Sequence, residues 1–396
     1  MIVVEKQNIA PKQTVAVKRT IDHLQGNKSG PTVVFFAGIH GNEPAGVFAL
    51  KHVFKELKSK NSALKGQLFG VAGNLGALNR HVRFQTVDLN RIWFPERIKN
   101  IRANKQADIE EEKELKALLE VLNNILEKAT PPFYFIDLHT TSSDTAPFIV
   151  LNDSLLNRKY ASNYPLPIIL GIEEYLEGAL LSYINELGYV SLGFESGQHD
   201  DSKAVENCID FIWFTLQLTG VVHPSKINGD GLAHFNKVDH RFYEIYHQHT
   251  IESGDKFKMF PGFINFQKIP KGVEIAMSND AVIKASKERQ IFMPLYQDQG
   301  GEGFYFIRPI PKFLLWLSKE LRRFKVDHLL VKLPGVKWKS DKKDTLIVDQ
   351  RVARFMAKSI FHLLGYRTRQ LDETHLVVKS REIASRNSDY KNTSWF

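Results

Sequence analysis

The stretch TVVFFAGIHGNEPAGVFALKHVFKELKS, residues 32–59, decides the fold class of this chain. Its first part, TVVFFAG, is a strand-length run of β-branched and aromatic residues, and its last part repeats apolar residues at helical spacing. A glycine-containing turn that carries His40 and Glu43 separates the two parts. A buried strand followed by an amphipathic helix is the repeating unit of an α/β fold.

The same alternation continues along the chain. A charged helical pattern spans 104–129, and further strand-length apolar runs lie at 66–74, 133–141, 146–152, 165–172 and 190–197. Apolar runs of this length, separated by helices, are typical of parallel strands that are covered on both faces. The pattern therefore predicts a mostly parallel mixed sheet flanked by helices over residues 1–220.

Two further changes of pattern divide the rest of the chain. From about residue 221 to 310 the sequence has short apolar runs and glycine turns without long helices, which predicts a smaller all-β domain. From 311 to 396, the stretches FLLWLSKELRRF and IVDQRVARFMAKSIFHLLGYR predict a mainly helical C-terminal extension.

Composition favours a cytoplasmic protein of two or three domains. The chain has 396 residues, of which 43% are hydrophobic, enough for sizeable cores. The single cysteine, Cys208, cannot form an intrachain disulfide, and the start MIVVEKQNIAPKQTV lacks the pattern of a secretory signal. Because no apolar run has the length of a transmembrane helix, no membrane partner is expected.

The net charge of +9 is concentrated in the extension. Residues 311–396 contain 19 Lys and Arg against 9 Asp and Glu, which leaves 34 against 35 for residues 1–310. The apolar stretches FLLWL and FMAKSIFHLLGY indicate that the extension is a packed unit rather than a flexible basic arm. This argues against nucleic-acid binding.

Two histidines and one glutamate lie where predicted strands end. His40 and Glu43 follow the first strand, and His139 lies near the end of the run FYFIDLHTT. Open α/β sheets bind ligands at the carboxyl ends of their strands, and these three ligands would leave the fourth position of a catalytic zinc open. Other divalent metals accept the same ligands. A polar loop without a metal is the alternative for His40 and Glu43 alone, while Asp137 is a candidate orienting carboxylate for His139.

Four segments together resemble a known family. They are HGNE at 40–43, NLGALNRHVRFQTVDLNRIWFPE at 74–96, DLHTT at 137–141 and GFESGQH at 193–199. In this order they resemble the succinylglutamate desuccinylase and aspartoacylase family of zinc amidohydrolases, relatives of the zinc carboxypeptidases. The resemblance covers roughly residues 30–305. It implies a zinc-carboxypeptidase-like fold with one zinc ion per chain.

The resemblance also implies the catalytic groups. His40, Glu43 and His139 would hold the zinc. Glu195 would act as general base and then as general acid, a task that suits a carboxylate beside a metal-activated water. Arg83 would polarise the scissile carbonyl, where negative charge develops during hydrolysis.

Substrate binding is implied at a second group of residues. Asn90 and Arg91 would bind the α-carboxylate of the substrate, because the planar fork of an arginine can hold a carboxylate through two parallel hydrogen bonds. The β domain would cover the site, and from it Tyr296 is the candidate substrate contact, with Tyr305 as the alternative. The sequence also leaves open that both tyrosines fill the core of that domain.

One departure from the family concerns specificity. Aspartoacylase carries an arginine about ten residues before the catalytic glutamate, whereas residues 169–195 contain no Lys or Arg. N-acetylaspartate is therefore not the expected substrate unless a basic residue from another segment enters the pocket. The candidates are Arg158, Lys159, Lys256 and Lys258.

These observations predict a zinc-dependent hydrolase that cleaves the amide bond of a small N-acyl amino acid, of the deacylase or desuccinylase type. Two alternatives stay open at this stage: a metallocarboxypeptidase that acts on short peptides, and a non-catalytic binding protein whose basic extension contacts an acidic partner. A homo-oligomer is compatible with the sequence.

Overall fold

The computed structural model describes residues 17–59, 64–103, 108–223, 241–339, 341–353 and 358–396. Within these ranges, one sheet has eleven strands and a second has three before residue 310. The strands up to that residue are β1 (Thr20–Gln25), β2 (Lys28–Ala37), β3 (Lys65–Ala72), β4 (Phe133–Thr141), β5 (Phe148–Leu151), β6 (Ile168–Leu170), β7 (Val190–Gln198), β8 (Phe242–Thr250), β9 (Phe257–Met259), β10 (Lys268–Ile269), β11 (Glu274–Ser278), β12 (Ala281–Lys284), β13 (Arg289–Phe292) and β14 (Glu302–Pro309).

The large sheet has a parallel centre, as the sequence predicted. Its order is β1-β3-β2-β4-β7-β5-β6-β8-β14-β13-β10. Strands β3, β2, β4 and β7 run parallel to one another, whereas β1 runs antiparallel to β3 and β5 runs antiparallel to β7. Strands β6 and β8 then continue parallel to β5. The carboxyl ends of β2, β4 and β7 consequently meet at one edge of the sheet.

Helices cover both faces of the parallel centre. They are α1 (Ala45–Ser59), α2 (Leu75–Arg80), α3 (Pro95–Arg102), α4 (Glu110–Lys128), α5 (Leu155–Ala161), α6 (Leu180–Glu186) and α7 (Ser202–Leu218). Alternate residues of β2 face opposite sides: Val33 and Phe35 pack in the cluster that contains α1 and α7, and Val34 and Phe36 pack in the cluster that contains α4. The predicted helix at 104–129 begins in residues outside the described ranges.

The described residues from 242 to 309 form strands and connecting segments without helices, in agreement with the predicted texture of this region. Four of these strands, β8, β14, β13 and β10, extend the large sheet through the parallel pair of β6 and β8. Strands β9, β11 and β12 form the separate antiparallel sheet. The β region is thus hydrogen-bonded to the α/β unit along a strand.

The C-terminal extension contains a sheet that the sequence analysis missed. Its helices are α8 (Lys312–Arg323), α9 (Lys358–Leu363) and α10 (Asn387–Tyr390). Its strands, β15 (Val336–Trp338), β16 (Thr345–Asp349), β17 (Tyr366–Gln370) and β18 (His375–Ser380), form an antiparallel sheet in the order β15-β16-β18-β17. The expectation of a mainly helical extension is therefore corrected to a mixed α/β unit. The stretch at 347–367, whose pattern was read as helical, begins in β16 and ends in β17, and residues 354–357 lie outside the described ranges.

The end of the chain returns to the core of the α/β unit. Tyr390 and Trp395 are buried in the same hydrophobic cluster as Tyr134 of β4. The Tyr390 hydroxyl accepts a hydrogen bond from Val190 N at 2.9 Å, and Trp395 Nε1 donates to the Tyr134 hydroxyl at 3.0 Å. No helix in the described part of the chain is long and apolar enough to cross a membrane.

Candidate metal centre and active site

Three adjacent strands place the candidate site at one edge of the sheet. His40 and Glu43 lie in the turn between β2 and α1, His139 is in β4, and Glu195 is in β7 directly opposite His139 in the strand register. The turn needs glycine at 41, because a Cβ atom there would lie 2.1 Å from the backbone carbon of Ala77. This close approach brings the histidine and glutamate of the turn over the strand ends.

His40, Glu43 and His139 converge into a buried triad. Nδ1 of His40 lies 2.8 Å from Glu43 Oε1, and Nδ1 of His139 lies 3.0 Å from Glu43 Oε2. One ligand atom from each residue falls within 4.8 Å of the other two, so the triad could hold a metal ion. Burial alone would raise the pKa of Glu43, but the two histidines hold that pKa well below its ordinary value.

An aspartate lies beside the second ring nitrogen of each histidine. Nε2 of His40 is 3.1 Å from Asp88 Oδ1, and Nε2 of His139 is 2.7 Å from Asp137 Oδ2. Burial would lower the pKa of His139, yet Asp137 and Glu43 raise it well above its ordinary value. Carboxylates in this position fix the orientation of metal-binding imidazoles. The sequence suggested this role for Asp137. Asp88 also accepts a hydrogen bond from Asn90 N at 2.8 Å.

The guanidinium of Arg83 points at the same centre. Its Nη1 donates to Glu43 Oε1 at 3.3 Å and its Nη2 donates to Asp88 Oδ2 at 3.1 Å. The backbone N–H of Arg83 donates to Gln299 Oε1 at 3.1 Å, so a loop of the β region holds this segment in place. Arg83 thereby presents a positive charge to the pocket beside the triad.

Glu195 is buried beside the triad and has an oxygen without a donor. Its Oε2 has no hydrogen-bond partner among the described residues. Burial, reinforced by the charges of Glu43 and Asp137, raises the pKa of Glu195 to about 8, although His139 and Arg83 act in the opposite direction. A carboxylate with a raised pKa and a free oxygen is suited to exchanging a proton near neutral pH.

Asn90 and Arg91 line the same pocket, but both already have partners. Asn90 Oδ1 accepts a hydrogen bond from Leu180 N at 2.9 Å. Arg91 donates to Glu302 Oε1 from Nε at 3.3 Å and from Nη2 at 3.2 Å. Burial would lower the pKa of Arg91, but Asp88 and Glu302 raise it. A substrate carboxylate at Arg91 would therefore share the guanidinium with Glu302 or replace it.

Of the two candidate tyrosines, only Tyr305 is among the residues that line the pocket. The Tyr296 hydroxyl donates to Phe260 O at 2.7 Å and accepts a hydrogen bond from Phe263 N at 3.0 Å, so it is engaged within the β region. Tyr305 lies in β14 and is almost completely buried. The two side chains have the same chemistry, and Tyr305 lines the pocket because of its position in β14.

Several polar residues of the site were not among those predicted to bind metal or substrate. His199 lines the pocket, where its Nδ1 lies 2.7 Å from Thr140 Oγ1 and its Nε2 lies 3.0 Å from Gln297 Oε1. Gln299 and Glu302 hold the two arginines, as described above. Gln297, Gln299 and Glu302 come from the stretch YQDQGGEG at 296–303. The amides and glycines of this stretch, in a turn between strands, were the signal that could have found them.

The pocket continues inward from Glu195 along β5. Phe148 of this antiparallel strand pairs with Glu195, and Val150 pairs with Gly193. This part of the pocket is named the inner end. It is lined by Val150, Asn152, Ile172, Glu173, Leu181 and Ser182. The described basic residues that line the whole pocket are His40, Arg83, Arg91, His139 and His199. The four candidate intruding residues, Arg158, Lys159, Lys256 and Lys258, are not among them.

Comparisons with known proteins find similar sequences. Residues 29–202 match the succinylglutamate desuccinylase/aspartoacylase catalytic domain. This stretch is similar to the catalytic domain of that family. A succinylglutamate desuccinylase of Photorhabdus laumondii is 27% identical over 282 residues, which cover 67% of this chain and 80% of that protein. An aspartoacylase of Xenopus tropicalis is 31% identical over 126 residues, which cover 31% of this chain and 38% of that protein.

One solved structure is similar to this chain in fold. The succinylglutamate desuccinylase/aspartoacylase of Rhodobacter sphaeroides has a TM-score of 0.55 with this chain at 17% sequence identity. The match covers 73% of this chain and 88% of that chain.

Proposed function

We propose that the protein is a zinc-dependent amidohydrolase that removes the acyl group from a small N-acyl amino acid. The observation that carries this proposal is the convergence of His40, Glu43 and His139 beside Glu195, a buried carboxylate with a free oxygen. The names of the desuccinylase and aspartoacylase relatives support the same class of substrate.

The donor set fits zinc. Two imidazoles and one carboxylate are a common ligand set of catalytic zinc, and they leave a position for water or substrate. Both Nδ1 atoms face Glu43 while both Nε2 atoms face aspartates, so the nitrogens that would bind the metal are defined by their surroundings. Zinc in such a site polarises a carbonyl group and lowers the pKa of water.

The residues of the chain then divide the work of hydrolysis. Glu195 accepts a proton from the attacking water as the new C–O bond forms, and it passes this proton to the leaving nitrogen as the C–N bond breaks. Arg83 stabilises the negative charge that develops on the carbonyl oxygen. Arg91 and Asn90 hold the α-carboxylate of the substrate. The products are a free carboxylic acid and the amino acid.

A substrate screen tests this proposal. Zinc-loaded protein is incubated with N-acyl amino acids and dipeptides, and the released amino acid is quantified by chromatography. We expect at least one N-acyl amino acid to be hydrolysed, and we expect Glu195→Gln to lower the rate about 100- to 10,000-fold. Glu120→Gln, a change of an exposed residue of α4, is the control. Absence of hydrolysis across the set, or full activity of Glu195→Gln, would contradict the proposal.

A further inference from the structure

The inner end of the pocket combines apolar walls with a small polar group. Val150, Ile172 and Leu181 supply apolar surface, while Asn152 and Ser182 are joined by a hydrogen bond of 3.1 Å between Nδ2 and Oγ. This bond satisfies part of the hydrogen-bonding capacity of Asn152 and Ser182. Glu173 is the ionisable residue at this end.

Glu173 has one engaged oxygen and one free oxygen. It is only 2% exposed. Its Oε1 accepts a hydrogen bond from Asp153 N at 3.0 Å and lies 2.9 Å from Nε of Arg381. Its Oε2 is buried without a hydrogen-bond partner among the described residues. A buried acceptor without a donor is costly, so a bound group that supplies a donor would gain affinity there.

Glu173 shares its arginine partner with neighbouring carboxylates. Arg381, from the C-terminal extension, is shared with two other carboxylates: it forms an ion pair with Glu174, and its Nη1 lies 3.5 Å from Asp153 Oδ2. Burial raises the pKa of Glu173, and Glu174 and Asp153 raise it further against the effect of Arg381. Arg381 is thus not the partner of Glu173 alone, and Asp153 is also paired with Arg158 and Arg322.

The extension fixes this wall from behind. Besides the contacts of Arg381, Nη2 of Arg367 donates to Leu176 O at 3.2 Å, and Thr368 N donates to Glu174 Oε2 at 3.2 Å. The segment that carries Glu173 is consequently held between the pocket and the extension. Its carboxylate has little freedom to turn away from a ligand.

We propose that Glu173 determines specificity by selecting a substrate arm that ends in an amino or amide nitrogen. This inference rests on the function proposed above. A nitrogen donor would satisfy the free Oε2, whereas a carboxylate would meet Glu173 with no basic residue among the described lining of the inner end. The arm is either the side chain of the amino acid or the acyl group, and both present the same chemistry to Glu173.

Two matched substrate series distinguish the arms. The first contains the Nα-acetyl derivatives of ornithine, glutamine, norvaline and glutamate. The second contains alanine acylated with a 4-aminobutanoyl, butanoyl or succinyl group. In one of the series we expect kcat/KM for a nitrogen-tipped substrate to exceed that for its apolar counterpart about 10- to 100-fold, and the carboxylate-tipped substrate to be the poorest.

Variants of neighbouring glutamates provide the control. Glu173→Gln should reduce the preference for an amino group to less than about 3-fold, because the neutral amide no longer supplies the charge. Glu174→Gln should retain the preference, since Glu174 also pairs with Arg381 but does not line the pocket. If Glu173→Gln does not fold, the ratio of kcat/KM between nitrogen-tipped and apolar substrates of the wild-type protein still tests the role of Glu173.

The outcomes separate the two proposals. Hydrolysis with a preference for the carboxylate or apolar tip in both series would overturn the role of Glu173 and leave the amidohydrolase function intact. An unchanged preference in folded Glu173→Gln would also overturn it. If no member of either series is hydrolysed, the proposed function fails and the inference fails with it.

Discussion

Each histidine of the triad has a carboxylate beside both of its ring nitrogens, and this arrangement sets which nitrogen faces the centre. His139, for example, lies between Glu43 and Asp137. An imidazole held from one side by a carboxylate is both oriented and made more basic, so it binds a metal ion more tightly. The contribution of Asp137 can therefore be measured as a change in metal affinity, without an activity assay.

We expect Asp137→Asn to weaken zinc binding about 10- to 100-fold, because the amide removes the charge that supports His139. Competition with a chelator of known affinity measures the change. Asp298→Asn, at an exposed position in the loop that follows β13, should bind zinc as the wild type does. Equal affinities of Asp137→Asn and wild type would show that Asp137 does not support the ligand.

The pocket suggests a single clamp for the substrate carboxylate at Arg91. Amidation of the α-carboxyl group, or Arg91→Lys, should lower kcat/KM roughly 30- to several-thousand-fold, which corresponds to the loss of about 2 to 5 kcal/mol for one partner of a buried charge pair. Kinetics on an acid and amide pair measure this. Equal turnover of the acid and the amide would place the clamp elsewhere.

The sequence predicted pocket residues of the α/β unit better than those of the β region. His40, Glu43, His139 and Glu195 follow from the alternation of strands and helices and from the family motifs. Gln297, Gln299 and Glu302 reach the site because β14 pairs with β8, and this pairing is not visible in local sequence. The same reason explains why Tyr305, rather than Tyr296, lines the pocket.

At the scale of elements, part of the positive charge of the extension holds it against the α/β unit. Asp153, which follows β5, lies 2.9 Å from Nη2 of Arg322 in α8 and accepts a hydrogen bond of 2.7 Å from Arg158 Nη2 in α5. Burial alone would raise the pKa of Asp153, but these arginines and Arg381 lower it. Some basic residues of the extension thus form ion pairs with the α/β unit.

The lowered pKa of Asp153 makes the stability of the protein depend on pH. Its contribution is fully present above the ordinary aspartate pKa of about 4 and is lost as the pH falls toward the lower pKa of the folded state. We expect Asp153→Asn to lower the free energy of unfolding at pH 7 by about 3 to 5 kcal/mol. This difference from wild type should shrink as the pH is lowered from about 4 to 2.

Urea denaturation at several pH values measures the effect of Asp153→Asn. Asp280→Asn, an exposed change in the turn between β11 and β12, serves as the control and should leave the stability nearly unchanged. A difference for Asp153→Asn that is absent at pH 7, or that stays constant down to pH 2, would contradict this account.

The elements of the α/β unit were predictable because their strands are long apolar runs. The strands of the extension are short, with three to six residues, and β17, which reads YRTRQ, has no run of apolar residues. Such segments gain their stability from pairing with β18 rather than from local propensity. Periodicity therefore predicted α8 correctly and missed the sheet.

At the scale of the whole molecule, the last residues of the extension pack in the core of the α/β unit, while the sheet of the extension has a hydrophobic core of its own. Trp395 is 7% exposed and lies 4.9 Å from Tyr160 and 5.6 Å from Tyr390 between ring centroids. The charge boundary near residue 311, which suggested a separate module, does not mark a break in packing here.

We expect Trp395→Ala to destabilise the protein by about 3 to 5 kcal/mol, because it leaves a cavity in this aromatic cluster. Trp316→Ala is the matched control: Trp316 in α8 is 56% exposed, and its loss should change the free energy of unfolding by less than about 0.5 kcal/mol. Chemical denaturation compares the two. Similar effects of both changes would mean that Trp395 does not complete the core.

The content of zinc in purified, zinc-loaded protein tests the central claim most directly. Elemental analysis should find one zinc ion per chain in the wild type and in His328→Ala, which changes an exposed histidine of the extension. His40→Ala and His139→Ala should lose the zinc while circular dichroism shows an unchanged fold. Equal zinc content in all four proteins, or no bound zinc in the wild type, would contradict a metal centre at His40, Glu43 and His139.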